Sequence, residues 1–124
     1  MDDTAGLRIL IVDDLPEFRA AAQELLEGRG HVVVAAVANG TDALEAAARL
    51  APELVLVDMR LAGESGIDVA RALTTQHPGI SVVLMSILDP GSTVNLAETC
   101  GARGFVVKDL LASTDLRSFL EPGP

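Results

Sequence analysis

Five short apolar runs, separated by stretches with helical spacing, set the narrowest limit on what this chain can fold into. They occupy residues 7–12, 32–37, 54–57, 81–85 and 104–107. Short apolar runs alternating with helical segments of about 10 to 15 residues are the pattern of a parallel sheet with crossover helices. The run at 54–57 is unbroken Leu-Val-Leu-Val, which predicts a central strand covered on both faces. The spacing predicts a first helix over about 15–29, with Pro16 in its first turn and Phe18, Ala21, Ala22, Leu25 and Leu26 on one face. A second helix is expected over 41–51 with Thr41 as its N-cap, and a third over 67–76. Residues 87–101 make the weakest helix, since Pro90 and Gly91 interrupt them, and a last helix is expected near 113–120. A chain of 124 residues fits a single domain, with 121–124 read as a tail or linker remnant.

The ends of these runs are chemically loaded. The first runs into Asp13 and Asp14, the third into Asp58, the fourth into Ser86 and the fifth into Lys108. In an open parallel sheet the strand carboxyl ends share one edge, and ligand sites collect there. Three carboxylates brought together repel by about 3 kcal/mol per pair at ~5 Å and an effective dielectric of ~20. A cation relieves that repulsion, and an all-oxygen donor set suits Mg²⁺ or Mn²⁺ better than zinc. The bland alternative for Asp13 and Asp14 is helix capping. Asp58 has no such use, because the glycine-bearing loop 59–66 follows it. Lys108 is the sole lysine among nine basic residues. A compact ammonium is not interchangeable with a guanidinium, so its retention here points to a site contact.

Composition excludes other classes. A net charge of -9 disfavours nucleic-acid backbone binding and anionic membranes. One cysteine, Cys100, leaves no intramolecular disulfide and suits a reducing compartment. The acidic start MDDTAG is unlike a signal peptide, and no apolar run is long enough to span a bilayer, so a cytoplasmic location is expected. His31 and His77 share no ligand spacing and read as structural or exposed. Dinucleotide-binding, Walker and nucleophile-elbow motifs are missing.

With the acidic pair, Asp58, Ser86 and Lys108 in this order, the chain resembles the receiver domain of bacterial two-component response regulators. The segments ILIVDDLPEFR, PELVLVDMRLAGESG, VVLMS and GARGFVVKD carry the likeness. The resemblance implies an α/β, doubly wound, flavodoxin-like fold of three layers with strand order 2-1-3-4-5. It also implies that Asp58 accepts a phosphoryl group from a sensor histidine kinase, a histidine phosphotransfer protein or a small donor. Asp13, Asp14, Asp58 and the main-chain carbonyl of Arg60 would hold Mg²⁺. Ser86 and Lys108 would contact phosphoryl oxygens, and Ser86 and Phe105 would form the switch. Such a domain is a self-phosphorylating and self-dephosphorylating signalling module rather than a turnover enzyme. It would be a monomer or weak homodimer, with a possible output domain or effector, and would bind no nucleic acid itself.

The chain departs from the family pattern at three places. Asp109 replaces a usual proline and is a candidate competitor for Lys108, Leu61-Ala62 replaces a common Met-Pro, and Ile87 replaces a small residue. Ile87 and Leu88 are expected to slow exchange with donor or water. Two rival functions follow from the same residues: a phosphorylation-independent adaptor with a relic pocket, or a Mg²⁺-dependent aspartyl phosphohydrolase. The second is weakened by Arg60, which stands where such enzymes that resemble haloacid dehalogenases place a second acid.

Overall fold

The computed structural model describes residues 6–87 and 100–120. The strands of the main sheet are β1 (Arg8–Val12), β2 (Val32–Val37), β3 (Leu54–Asp58), β6 (Ser81–Ser86) and β7 (Gly104–Val107). All pair in parallel, in the order β2-β1-β3-β6-β7. Two further two-residue strands, β4 (Arg60–Leu61) and β5 (Glu64–Ser65), form an antiparallel hairpin in the loop after β3. Counting only the main sheet, this is the expected doubly wound, flavodoxin-like order. The expected loop after Asp58 is thus partly ordered as a hairpin.

Helices α1 (Pro16–Gly28), α2 (Gly40–Leu50) and α3 (Gly66–Gln76) cover the sheet. Ala43, Ala46 and Ala47 of α2 and Val69, Ala70 and Leu73 of α3 pack with Leu10, Val55, Val57 and Leu84 on one face. On the other, Ala22 and Leu26 of α1 and the C-terminal Leu111 and Leu116 pack with Ile9, Ile11, Leu56, Val83 and Met85. Side chains alternate across a strand, so β1 and β3 feed both cores at once. That is why the run at 54–57 is apolar throughout and wholly buried.

Two local expectations need correction. Asn39, not Thr41, caps α2: its side chain accepts a hydrogen bond from the Asp42 N–H at 2.8 Å. Asn39 takes the extended backbone of a cap, whereas Thr41 lies inside the helix. The last helix is also absent among the described residues. Lys108–Ser113 and Leu116–Phe119 form two 3₁₀ turns instead. The Thr114 hydroxyl donates to the Leu110 carbonyl, and the Asp115 carboxylate accepts from the Arg117 N–H. Such local side-chain bonds compete with a continuous helical ladder. The weak helix expected within 87–101 falls mostly on residues 88–99, and the tail on 121–124; both lie outside the described residues.

Candidate functional site

Strand order decides which loaded ends meet. Asp58 closes β3, with β1 on one side and β6 on the other, and β7 lies beyond β6. Asp13 is fully buried directly after β1, and Asp58 is 8% exposed. Asp13, Asp14 and Asp58 each offer a carboxylate oxygen, and these lie within 4.8 Å of one another. Lys108 follows β7 and reaches back across β6. Its Nζ stands 2.5 Å from Asp13 Oδ2 and donates to Asp58 Oδ2 at 3.2 Å. A cavity of about 310 Å³ opens beside them, lined by Asp14, Leu15, Asp58, Arg60, Ser86, Ile87 and Lys108.

The two oxygens of Asp13 have different surroundings. Oδ1 accepts from the Leu15 N–H at 2.9 Å and steadies the start of α1. Oδ2 faces Lys108 at ion-pair distance but accepts no well-directed hydrogen bond among the described residues. Asp14 caps nothing: Leu15 is the N-cap of α1, without a side-chain cap. Three converging carboxylates with oxygens within 4.8 Å of one another fit a hard divalent cation.

The loop after Asp58 is built to hold its carboxylate. The Arg60 N–H donates to Asp58 Oδ1 at 3.2 Å. Gly66 lets the start of α3 come against the Asp58 backbone, where a Cβ would stand 1.8 Å from the Asp58 carbonyl oxygen. The Glu64 carboxylate accepts from the Gly40 N–H at 2.9 Å, tying the hairpin to the start of α2. Burial raises the Asp58 pKa above its ordinary value. The Arg60 N–H opposes this, the nearby Asp13 carboxylate adds to it, and Lys108 pulls the other way.

The other candidates fall into place around this cluster. Phe105 is half-buried on β7 beside Leu84 and packs against the core under α2 and α3. Asp109 is exposed, and among the described residues the ion pairs of Lys108 are with Asp13 and Asp58. His31 accepts from the Leu7 N–H at the opposite end of the sheet, and Cys100 is buried in the core. Two neighbours carried no earlier signal for the site. Arg19 donates to the Asp13 carbonyl at 2.7 Å, and the Phe18 ring lies 4.3 Å from Lys108 Nζ. Both sit in the first turn of α1, where side chains tilt back toward the strand edge. Helical periodicity alone marks Phe18 only as an apolar face residue.

The sequence matches the response regulator receiver domain over residues 9–121. The chain belongs to this family. It is 32% identical to the nitrate/nitrite response regulator protein NarP of Escherichia coli over 110 residues, covering 88% of this chain and 51% of NarP. Identity to the DNA-binding response regulator MtrA of Mycolicibacterium smegmatis is 37% over 106 residues, covering 86% of this chain and 46% of MtrA. The chain therefore spans about half the length of these relatives. The solved signal receiver domain of the response regulator NarL of Mycobacterium tuberculosis superposes with a TM-score of 0.81 at 31% identity, covering 92% of this chain and 93% of that one. Receiver domains are signalling modules of two-component systems and not classical enzymes. No helix among the described residues is long and apolar enough to cross a membrane.

Proposed function

We propose that this receiver domain is a phosphorylation-driven switch in which Asp58 accepts a phosphoryl group in a Mg²⁺-dependent reaction. The observation that carries this reading is the joint placement of Lys108 against Asp13 and Asp58 at the wall of an open cavity. An Asp58 oxygen attacks phosphorus, and an O–P bond forms. The P–N bond of a phosphohistidine, or the P–O bond to the carboxylate of acetyl phosphate, breaks, and the leaving group departs with its electron pair. Phosphoryl transfer needs mainly alignment and charge neutralisation, which these residues are arranged to provide. Asp13, Asp14, Asp58 and the Arg60 carbonyl would hold Mg²⁺, whose chemistry there is to offset charge on the phosphoryl oxygens.

The protein's own groups do the rest. Arg60 N–H and Lys108 hold the two Asp58 oxygens in fixed directions. Ser86 lines the cavity and supplies an uncharged hydroxyl for the product. The phosphoryl group adds roughly 1.5 to 2 negative charges at one strand end. Ser86 drawn toward it would free space for Phe105 and bias the face near β6 and β7. The donor is a sensor histidine kinase or phosphotransfer protein, and the reader is an output domain or effector. Residues 1–124 act as one receiver module.

Incubation with acetyl phosphate and Mg²⁺ tests this directly. A single acid-stable, hydroxylamine-labile adduct is expected on the wild type and absent from Asp58→Asn. Neither adduct nor phosphate release on the wild type would make the pocket a relic in an adaptor, and rapid sustained phosphate release with no accumulated adduct would make it a hydrolase.

A further inference from the structure

The chain holds three aromatic side chains, all phenylalanine, and each is tied to β7 or its continuation. Phe105 lies on β7, and Phe119 packs where a Gly104 Cβ would stand 2.3 Å from its ring. Phe18, in the first turn of α1, places its ring over Lys108 Nζ at 4.3 Å to the centroid. The Lys108 side chain is only 6% exposed, so its ammonium has little water to donate to. Asp13 and Asp58 meet it on one side; the electron-rich ring face covers another.

The local chain explains why the ring is there. Asp13 Oδ1 bonds the Leu15 N–H, Pro16 opens α1, and Arg19 bonds the Asp13 carbonyl. Phe18 is thereby held within one turn of the carboxylates, with its side chain tilted toward the helix start. Lysine has a long stem with many rotamers, and two carboxylates on one side do not fix how far it reaches.

We propose that Phe18 is a positioning residue for Lys108, holding its ammonium at the pocket wall through a cation–π contact. Its effect on reaction rate rests on the assignment of Asp58 as phosphoacceptor; the contact itself does not. Phe18→Leu keeps an apolar side chain and removes the ring face, whereas Phe18→Tyr keeps the face.

Because Lys108 is the only lysine, lysine-selective isotope labelling yields one side-chain signal. In metal-free, unphosphorylated protein its ε-methylene resonances are expected upfield of free lysine. Phe18→Leu should move them downfield while Phe18→Tyr leaves them upfield. With acetyl phosphate and Mg²⁺, Phe18→Leu should form the adduct about fivefold more slowly, equivalent to about 1 kcal/mol, and Phe18→Tyr should stay within about twofold of wild type. A lysine signal indifferent to Phe18→Leu in a folded variant would overturn the proposal, as would equal slowing by Leu and Tyr. If the lysine signal responds to Phe18 while the wild type forms no adduct, the contact stands and the phosphoacceptor assignment fails.

Discussion

At the scale of single residues, the site is a balance of one ammonium against crowded carboxylates. Lys108 and Asp13 are both almost wholly buried, and Asp58 is nearly so. Removing one partner from a buried ion pair leaves an uncompensated charge, which is costly. Lys108→Met is therefore expected to destabilise the metal-free protein by about 3 kcal/mol in urea denaturation. Asp58→Asn in that background should recover part of the loss, because it removes the charge that burial and Asp13 already disfavour. Additive effects of the two substitutions would show that the groups do not act on one another. Much of this cluster was legible beforehand. Asp58 follows an unbroken apolar run and has no capping duty, and Lys108 stands out among arginines. Phe18 was not legible as a site residue, because an aromatic on an apolar helical face reads as core. Only the tilt of the first turn of α1 and the strand order bring it to the ammonium.

At the scale of elements, the departures from expectation have local causes. The last segment has apolar residues at helical intervals, yet Thr114 is extended and the hydroxyl and carboxylate bonds around it cut the ladder. What holds this segment is packing: Leu111 and Leu116 enter the core, and Phe119 lies on Gly104 of β7. Gly104→Ala is expected to cost about 1 to 3 kcal/mol by displacing that ring, and Phe119→Leu should partly restore stability in the alanine background. Thermal or urea midpoints of the two single variants and the double variant measure this coupling. At the other end of the sheet, His31 Nδ1 accepts from the Leu7 N–H at 3.0 Å, which requires the unprotonated nitrogen. Burial lowers the His31 pKa from its ordinary 6.5, with Arg29 and Arg117 adding to the shift and Asp115 opposing it. A depressed folded-state pKa means that the unfolded chain binds the proton more readily. The stability contributed is present above about 6.5 and lost as pH falls through the lowered value. Unfolding midpoints measured from pH 7.5 down to 5 should fall more for wild type than for His31→Asn, whose amide oxygen can accept the same N–H. Equal slopes would remove His31 from the account.

For the whole molecule, strand order converts separate chain ends into one pocket and also builds its rim. β3 lies between β1 and β6, so whatever follows those two strands stands on opposite sides of Asp58. Leu15 follows Asp13 and Asp14 after β1, and Ile87 follows Ser86, the last residue of β6; both line the cavity and are more than half exposed. Large apolar side chains left exposed at a cavity mouth do not contribute to a core, and here both stand at the cavity that also holds Asp58. A rim that restricts small donors is expected to restrict water too, and excluding solvent from a reacting carboxylate protects an acyl phosphate from hydrolysis. Ile87→Ala is therefore expected to speed adduct formation with acetyl phosphate and loss of the adduct together, each by about twofold to tenfold, equivalent to about 0.4 to 1.4 kcal/mol of barrier. Stability should change little, because Ile87 is 66% exposed. Time courses of phosphorylation, and of decay after donor removal, read the two rates separately. Unchanged rates in both directions would mean that the rim does not gate the pocket. A change in formation alone would confine Ile87 to donor entry and leave water to reach Asp58 by another path.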